Sequence, residues 1–462
     1  MFTAQFYFYD FPRKEELRRV ALKMRMYRIQ RLCSRSFYST STVMDFRPRL
    51  QILPSRKSLF DEPLQIKVDG LIPEQRVELK AKLIDDRGVL FKSSAEYSAD
   101  FSGTVDLGTS GSLGGSYTGI EPMGLFWSMT PEKPCSRLMI KDASRSLLVN
   151  IEVINATDLG HALASETVER GFMVEGTRRS PVKVGRIRGT LFVPPGPGPF
   201  PGVLDLYTFG GGLTEVRGSL LANKGFVVLC LAYYNYADLP KSVSHFDLEY
   251  FEEALTFLRS QPEVRGPGVG IISISKGADL ALSIASLLPG VSATVWINGC
   301  NANVMLPLHY KDMVIPPLIP DFSKITFAQP GILDVRESVT DPMAEGSRST
   351  IIPVERASCR FLFVASEDDR NWNSCLFAEQ AATRLKVHGK DNFEVIKYPR
   401  AGHFLEVPYM PHYPLGIHPV VGKVVAYGGD ARGHAYAHLE LWRRVQVFFQ
   451  EHLVVGSHKA ML

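Results

Sequence analysis

"GIISISKGADLAL" spans residues 270–282, and the role of its Ser275 decides how the carboxy-terminal half of the chain is read. The apolar run over 269–274 predicts a buried strand. After the serine, Leu280, Ala281, Ile284, Ala285 and Leu288 recur at the spacing of a packed helix. A serine between such a strand and such a helix sits at a nucleophile elbow, the sharp turn that lifts its hydroxyl above a sheet. Strand and helix pack closely there, so the flanking positions must be small. Gly277 satisfies this on one side. Ser273 stands where glycine is usual on the other, giving S-x-S-x-G, and is expected to be structural. Five residues alone recur by chance; the strand and helix around them give the pattern its weight.

A serine hydroxyl becomes a nucleophile near neutral pH only when a base takes its proton and a third group orients that base. For this kind of elbow the acid and then the histidine follow on loops after later strands. "RFLFVASEDDRNW", 360–372, places Asp368 and Asp369 just past a predicted strand. "FEVIKYPRAGHFLE", 393–406, places His403 just past the next. Local physics does not choose between the two aspartates. The developing oxyanion also needs backbone donors. These are expected from the N–H of Lys276 and from "YTFGGGL", 207–213, where Gly210 is the best single choice. The Lys276 side chain needs no role. His434 and His438 lie one helical turn apart in "GHAYAHLELWRR", but without the glutamate of an HExxH motif they read as a helix face.

Around the elbow, "GVLDLY", "FVVLCLAYY", "ATVWIN" and the two strands above alternate with helical segments through "RGSLLANKG" and "EYFEEALTFLRS". Buried strands with crossover helices predict a mostly parallel sheet covered on both faces. From about 45 to 178 the period is two instead. "LQIKVDGL" sets Leu64, Ile66 and Val68 on one face, "VELKAKLIDDRGVLF" reads as two strands around the turn at 86–88, and "LLVNIEVIN" is a further strand. Short alternating strands predict a β-sandwich. "GTVDLGTSGSLGGSYTG", 103–119, lacks the context of a phosphate loop and is expected to be a flexible sheet connection. The chain therefore divides into an extension (1–43), a sandwich domain (44–178) and an α/β domain (179–462).

Of 52 basic and 48 acidic residues, nine and three respectively fall in 1–43, which leaves a body of 43 basic against 45 acidic. That balance gives no basis for a nucleic-acid partner. Six scattered cysteines with no CxxC argue against a disulfide scaffold or zinc site and fit a reducing compartment; no metal or cofactor is expected. The longest apolar run, 225–234, is about half a bilayer span, so no membrane span is expected. Residues 17–44 carry seven Lys/Arg and no acid, with Leu17, Val20, Met24 and Tyr27 on one helical face. This is the composition of an organelle transit peptide, and "RSFYSTS" is similar to a mitochondrial processing site. A disordered basic tail is the alternative. Asp10, Glu15 and Glu16 depart from the transit pattern, and translation from Met24 or Met26 would account for them.

The strings "EPMGLFWSM", "VGRIRGTLFVPPGPGPFPG", "KGFVVLCLAYYNYADLP", "EYFEEAL", "PEVRGPGVG", "SISKGADLALSIAS", "IPVERA" and "AGHFLEVPY" occur in this order. Over about 45–455 the sequence thereby resembles the type I acyl-coenzyme A thioesterases and the related bile acid-CoA:amino acid N-acyltransferases. The resemblance implies a β-sandwich followed by an α/β-hydrolase domain, an acyl-CoA substrate, and hydrolysis through an acyl-serine. It places the triad on Ser275, Asp369 and His403, and it alone selects Asp369 over Asp368. The acyltransferases carry cysteine at the nucleophile position, and none of the six cysteines here sits on an elbow. Ser273 is an acyltransferase-like feature, which keeps transfer to glycine or taurine as the alternative. The ending "KAML" lacks an S-K-L-type signal, so the implied location is the mitochondrial matrix, with cytosol or peroxisome as alternatives.

Overall fold

In the computed structural model, residues 47–454 except 157 are described; the expected transit segment and the final "KAML" lie outside them. The alternating segments form two antiparallel sheets. Arg49–Leu53, Gln65–Asp69 and Val105–Asp106 make the smaller one. The larger runs Lys57–Leu59, Asp158–Gly171, Leu147–Asn155, Arg76–Ile84, Leu90–Ser98, Gly114–Gly115, with one parallel pair at its first edge. Arg76–Ile84 buries Val77, Leu79, Ala81 and Leu83 and turns the residues between them outward, as a period of two requires. The glycine-rich stretch is more than a connection, because Gly114–Gly115 pairs with Leu90–Ser98. A Cβ on Gly115 would lie 2.4 Å from the Ser94 carbonyl oxygen, so only glycine can make this approach.

From residue 178 the strands form one eight-stranded sheet, labelled in chain order: β1 (Arg178–Val184), β2 (Ile187–Val193), β3 (Phe200–Leu206), β4 (Val227–Ala232), β5 (Val264–Ile274), β6 (Val291–Ile297), β7 (Arg360–Ser366) and β8 (Phe393–Tyr398). Their spatial order is β1-β2-β4-β3-β5-β6-β7-β8. The hairpin β1–β2 and the β2–β4 pair are antiparallel, and every later pair is parallel. Helices α1 (Val216–Ala222), α2 (Leu248–Arg259), α3 (Lys276–Leu287), α4 (Ser374–Val387) and α5 (Ala431–Leu453) cover it. Every residue of β4 is buried, which is why that strand reads as a continuous apolar run rather than an alternation. This strand order with crossover helices on a parallel sheet is the α/β-hydrolase fold.

Sandwich and α/β sheet lie in one compact unit. Asp61 joins them, accepting from Trp442 Nε1 at 2.8 Å and pairing with Lys224 Nζ at 2.9 Å. Trp127 and Phe172 share one apolar cluster with Trp442 and Phe449. Two further small sheets complete the described residues. One holds Phe246–Asp247, Leu308–Tyr310 and Met313–Ile315; the other holds Thr326–Gln329, Ile332–Asp334, Val424–Ala426 and Leu415–Ile417.

Candidate active site

β5 ends at Ile274 and α3 begins at Lys276, so Ser275 alone makes the turn, with φ 57° and ψ −130°. Those angles lie outside the regions an L-residue prefers, and such strain persists only where the surroundings enforce it. Here the Ser275 N–H donates to Ile297 O at 2.9 Å, and Ala278 N–H donates to Ser275 O at 2.8 Å. Gly277 is required because a Cβ there would stand 2.4 Å from Tyr207 O. Ser273 is fully buried and donates its hydroxyl to Val295 O on β6 at 3.0 Å. The departure from glycine is thus accommodated by a neighbouring strand.

The structure brings the three predicted side chains together. His403 Nε2 lies 2.9 Å from Ser275 Oγ, and His403 Nδ1 lies 2.8 Å from Asp369 Oδ2. All three residues are buried. Asp369 is held from several sides: Oδ1 accepts the N–H groups of Asn371 (2.8 Å) and Trp372 (3.0 Å), and Ser374 donates its hydroxyl to Oδ2. Asp368 points elsewhere. It pairs with Arg370 at 2.6 Å, accepts Gly429 N–H at 2.8 Å and is partly exposed.

On the oxyanion loop the sequence expectation named Gly210. Burial pushes the Tyr234 phenol up to about 12, and Thr208 and Phe209 line the cavity beside Ser275. Tyr233 is the reason. Its hydroxyl lies 2.8 Å from Tyr207 O and 2.9 Å from Thr208 O and turns both carbonyls toward itself. In a trans peptide the N–H points opposite to the carbonyl, so the amides of Thr208 and Phe209 face away from Tyr233. The Lys276 side chain is engaged as well. It is fully buried, 2.8 Å from Asp279 Oδ2, and donates to Asn303 Oδ1 at 3.1 Å and Val304 O at 2.7 Å. Asp279 in turn accepts Val304 N–H at 3.0 Å. Burial raises the Asp279 carboxyl to about 6, with Lys276 opposing. This pair ties the cavity-lining segment at Val304 to the elbow.

Sequence reasoning missed four participants. Asn371 Nδ2 lies 3.2 Å from His403 Nε2; the only hint was a polar loop after β7. His418 lines the cavity, and burial lowers its imidazole to about 4. Arg137 reaches from the sandwich domain to Glu406, three residues past His403, which also accepts the Tyr207 hydroxyl at 2.5 Å. His434 is no mere helix face: Gly402 N–H donates to its Nδ1 at 3.1 Å and its Nε2 donates to Phe404 O at 2.6 Å, bracketing His403. None of these contacts has a spacing signature, because each joins segments far apart in the chain.

Two family models match. The acyl-CoA thioester hydrolase/BAAT N-terminal region matches residues 61–184, and the BAAT/acyl-CoA thioester hydrolase C-terminal region matches 246–455. Mitochondrial acyl-coenzyme A thioesterase 2 of Mus musculus is 47% identical over 406 residues, covering 87% of this chain and 89% of the relative. Its Homo sapiens counterpart is 47% identical over 411 residues, covering 88% and 85%. Acyl-coenzyme A thioesterase 1 of Rattus norvegicus is 47% identical over 411 residues, covering 88% and 98%. An elbow serine, a buried imidazole bridging it to a carboxylate, and identity at this level along both halves have one explanation: the chain belongs to the acyl-CoA thioester hydrolase/BAAT family.

Proposed function

We propose that this protein hydrolyses fatty acyl-CoA to free acid and CoA, with Ser275 as nucleophile, His403 as base and Asp369 orienting the imidazole. The observation that carries this reading is a single imidazole within hydrogen-bond distance of both the Ser275 hydroxyl and the Asp369 carboxylate. His403 takes the Ser275 proton as Oγ attacks the thioester carbonyl carbon. The tetrahedral intermediate collapses, the C–S bond breaks, and CoA leaves as the thiol with the proton from His403, which restores the neutral imidazole. Water, deprotonated by His403, then attacks the acyl-serine and releases the acid. The oxyanion is assigned to the N–H groups of Lys276 and Phe209, each worth about 3–4 kcal/mol in the transition state. Phe209, Met305, Val339, Trp372 and Phe404 give the acyl chain an apolar lining.

The division at 178/179 is proposed on the change of sheet between Gly171 and Arg178; the first matched region runs past it to residue 184, and the second begins at 246. A mitochondrial location is proposed from the acid-free composition of 17–44 and from the mitochondrial designation of the mouse and human relatives. Among the described residues no helix is long and apolar enough to cross a membrane. The test is a panel of acyl-CoAs of different chain length, assayed for released thiol with and without glycine or taurine. Free acid is expected in both cases, and Ser275→Ala is expected to lower kcat by about 10⁵-fold or more. Undiminished turnover in that variant, or an amide as main product, would overturn the reading.

A further inference from the structure

We propose that His245, Asp247 and His309 form a binding site for a borderline divalent transition metal of the zinc class. No such site was expected from the sequence, because the donors come from strands 62 residues apart. The pairing supplies them. Phe246–Asp247 runs parallel to Leu308–Tyr310, with Asp247 directly opposite His309. His245, in the bend just before this strand, turns its ring to the same side, with Nε2 3.4 Å from Asp247 Oδ1. Their donor atoms all lie within 4.8 Å of one another, and the two imidazoles stack with centroids 4.5 Å apart. Two imidazoles and a carboxylate are a common protein ligand set for zinc, leaving a position for water.

Two features separate this cluster from a chance grouping. Ser244 Oγ lies 3.0 Å from His245 Nδ1, the kind of neighbour that fixes a ligand imidazole, and leaves Nε2 3.4 Å from Asp247 Oδ1. Asp247 occupies the N-cap position of α2, yet its carboxylate makes no capping bond. It faces the imidazoles instead. Drawing the donors to about 2.0–2.1 Å from one ion requires each to move by on the order of 1 Å, within the reach of half-buried side chains. The site abuts the catalytic machinery on two sides. Phe246 lies 5.3 Å from Lys276 Nζ, and the segment entering His309 carries Val304 and Met305 of the cavity lining. A bound ion would therefore clip residues 303–309 to the strand before α2.

The experiment uses the full chain stripped by a chelator, with Co²⁺ as spectroscopic probe and Zn²⁺ as competitor. The wild type is expected to take up one equivalent of Co²⁺ with the visible absorption of a low-coordinate nitrogen and oxygen site, and Zn²⁺ is expected to displace it. Zn²⁺ is also expected to raise the thermal midpoint. In His245→Ala/His309→Ala this equivalent, its spectrum and the thermal shift are expected to vanish, while metal-free thioester hydrolysis stays at the wild-type rate. Asp247→Asn, which keeps the shape of the N-cap residue, is expected to weaken uptake by at least about tenfold. Equal uptake with equal spectra in wild type and double variant, or no uptake by the wild type, would overturn the proposal. Loss of metal-free hydrolysis in the double variant would also count against it, by making the cluster part of the folded scaffold.

Discussion

His434 holds the backbone on either side of His403, and both rings have two nitrogens engaged, yet their chemistry is opposite. His403 presents Nδ1 to a carboxylate and Nε2 to a hydroxyl. His434 accepts from one backbone amide and donates to one backbone carbonyl. The Asp369 carboxylate accepts from Nδ1 and so fixes the tautomer that leaves Nε2 free to take the Ser275 proton during turnover. Backbone partners suit only one neutral tautomer. Burial, reinforced by the neighbouring His438 and His412, drives the His434 imidazole well below its ordinary range. The difference teaches that the partner at Nδ1, more than burial itself, decides whether a histidine here is a base or a brace.

The comparison breaks most severely if the carboxylate is removed without changing its shape. In Asp369→Asn the side chain can offer a donor to Nδ1, which favours the tautomer with the proton on Nε2. His403 would then resemble His434, and the ring could no longer accept from Ser275. A loss of about 10⁴-fold in kcat is expected, with unchanged circular dichroism. Thiol release at a saturating acyl-CoA measures it. A loss under tenfold would mean that position, not charge, is what Asp369 provides.

Acid sharpens the same contrast on the His434 side. The His438 imidazole, fully buried one turn along α5, is lowered by burial to about 4. A histidine with a folded pKa below its unfolded value of about 6.5 binds more protons unfolded, so stability is lost as pH falls from 6.5 toward 4. For His438 alone this amounts to about 3 kcal/mol. Asp279 acts with the opposite sign, since a carboxyl raised to about 6 in the fold gains protons there first. Comparing wild type with His438→Gln cancels the Asp279 contribution. Denaturant unfolding between pH 7 and 4.5 is expected to give a shallower pH dependence in the variant, by up to one proton, or about 1.4 kcal/mol per pH unit. Parallel curves would show that this ring is not held neutral.

What the sequence made legible follows from the range of each signal. Continuous apolar strands, the period-two segments and the elbow at Ser275 are local patterns, and each lies where the folded chain has it. The start of β5 was read five residues late, since "VRGPG" is polar and only pairing with Phe200 and Pro201 recruits it. Gly210 was the sequence's choice on the oxyanion loop, whereas the amides that turn away from Tyr233 are those of Thr208 and Phe209. The orientation of those amides is instead set by Tyr233, 24 residues on, which no local pattern announces. The Lys276 side chain needed no role from sequence; Asp279, Asn303 and Val304, the last two 27 and 28 residues on, give its buried ammonium a complete set of partners.

The smallest effect tests the neighbour that the sequence could not distinguish. Asp368 and Asp369 are adjacent on the loop after β7, where successive side chains diverge. Asp369 turns inward to the imidazole and is 1% exposed; Asp368 turns outward to Arg370, whose side chain is 44% exposed. An ion pair at such a surface is worth roughly 0–1 kcal/mol. Asp368→Asn also retains an oxygen to accept Gly429 N–H, so the turn before α5 keeps its tether. The variant is expected to hold kcat/KM within about threefold of wild type and to lose no more than about 1 kcal/mol of stability. Set beside a 10⁴-fold loss one residue further on, that result would assign the orienting role to a single carboxylate. Equal losses at the two positions would instead mean that the loop acts as one charged unit, and the contrast between His403 and His434 would then rest on loop geometry rather than on one hydrogen bond.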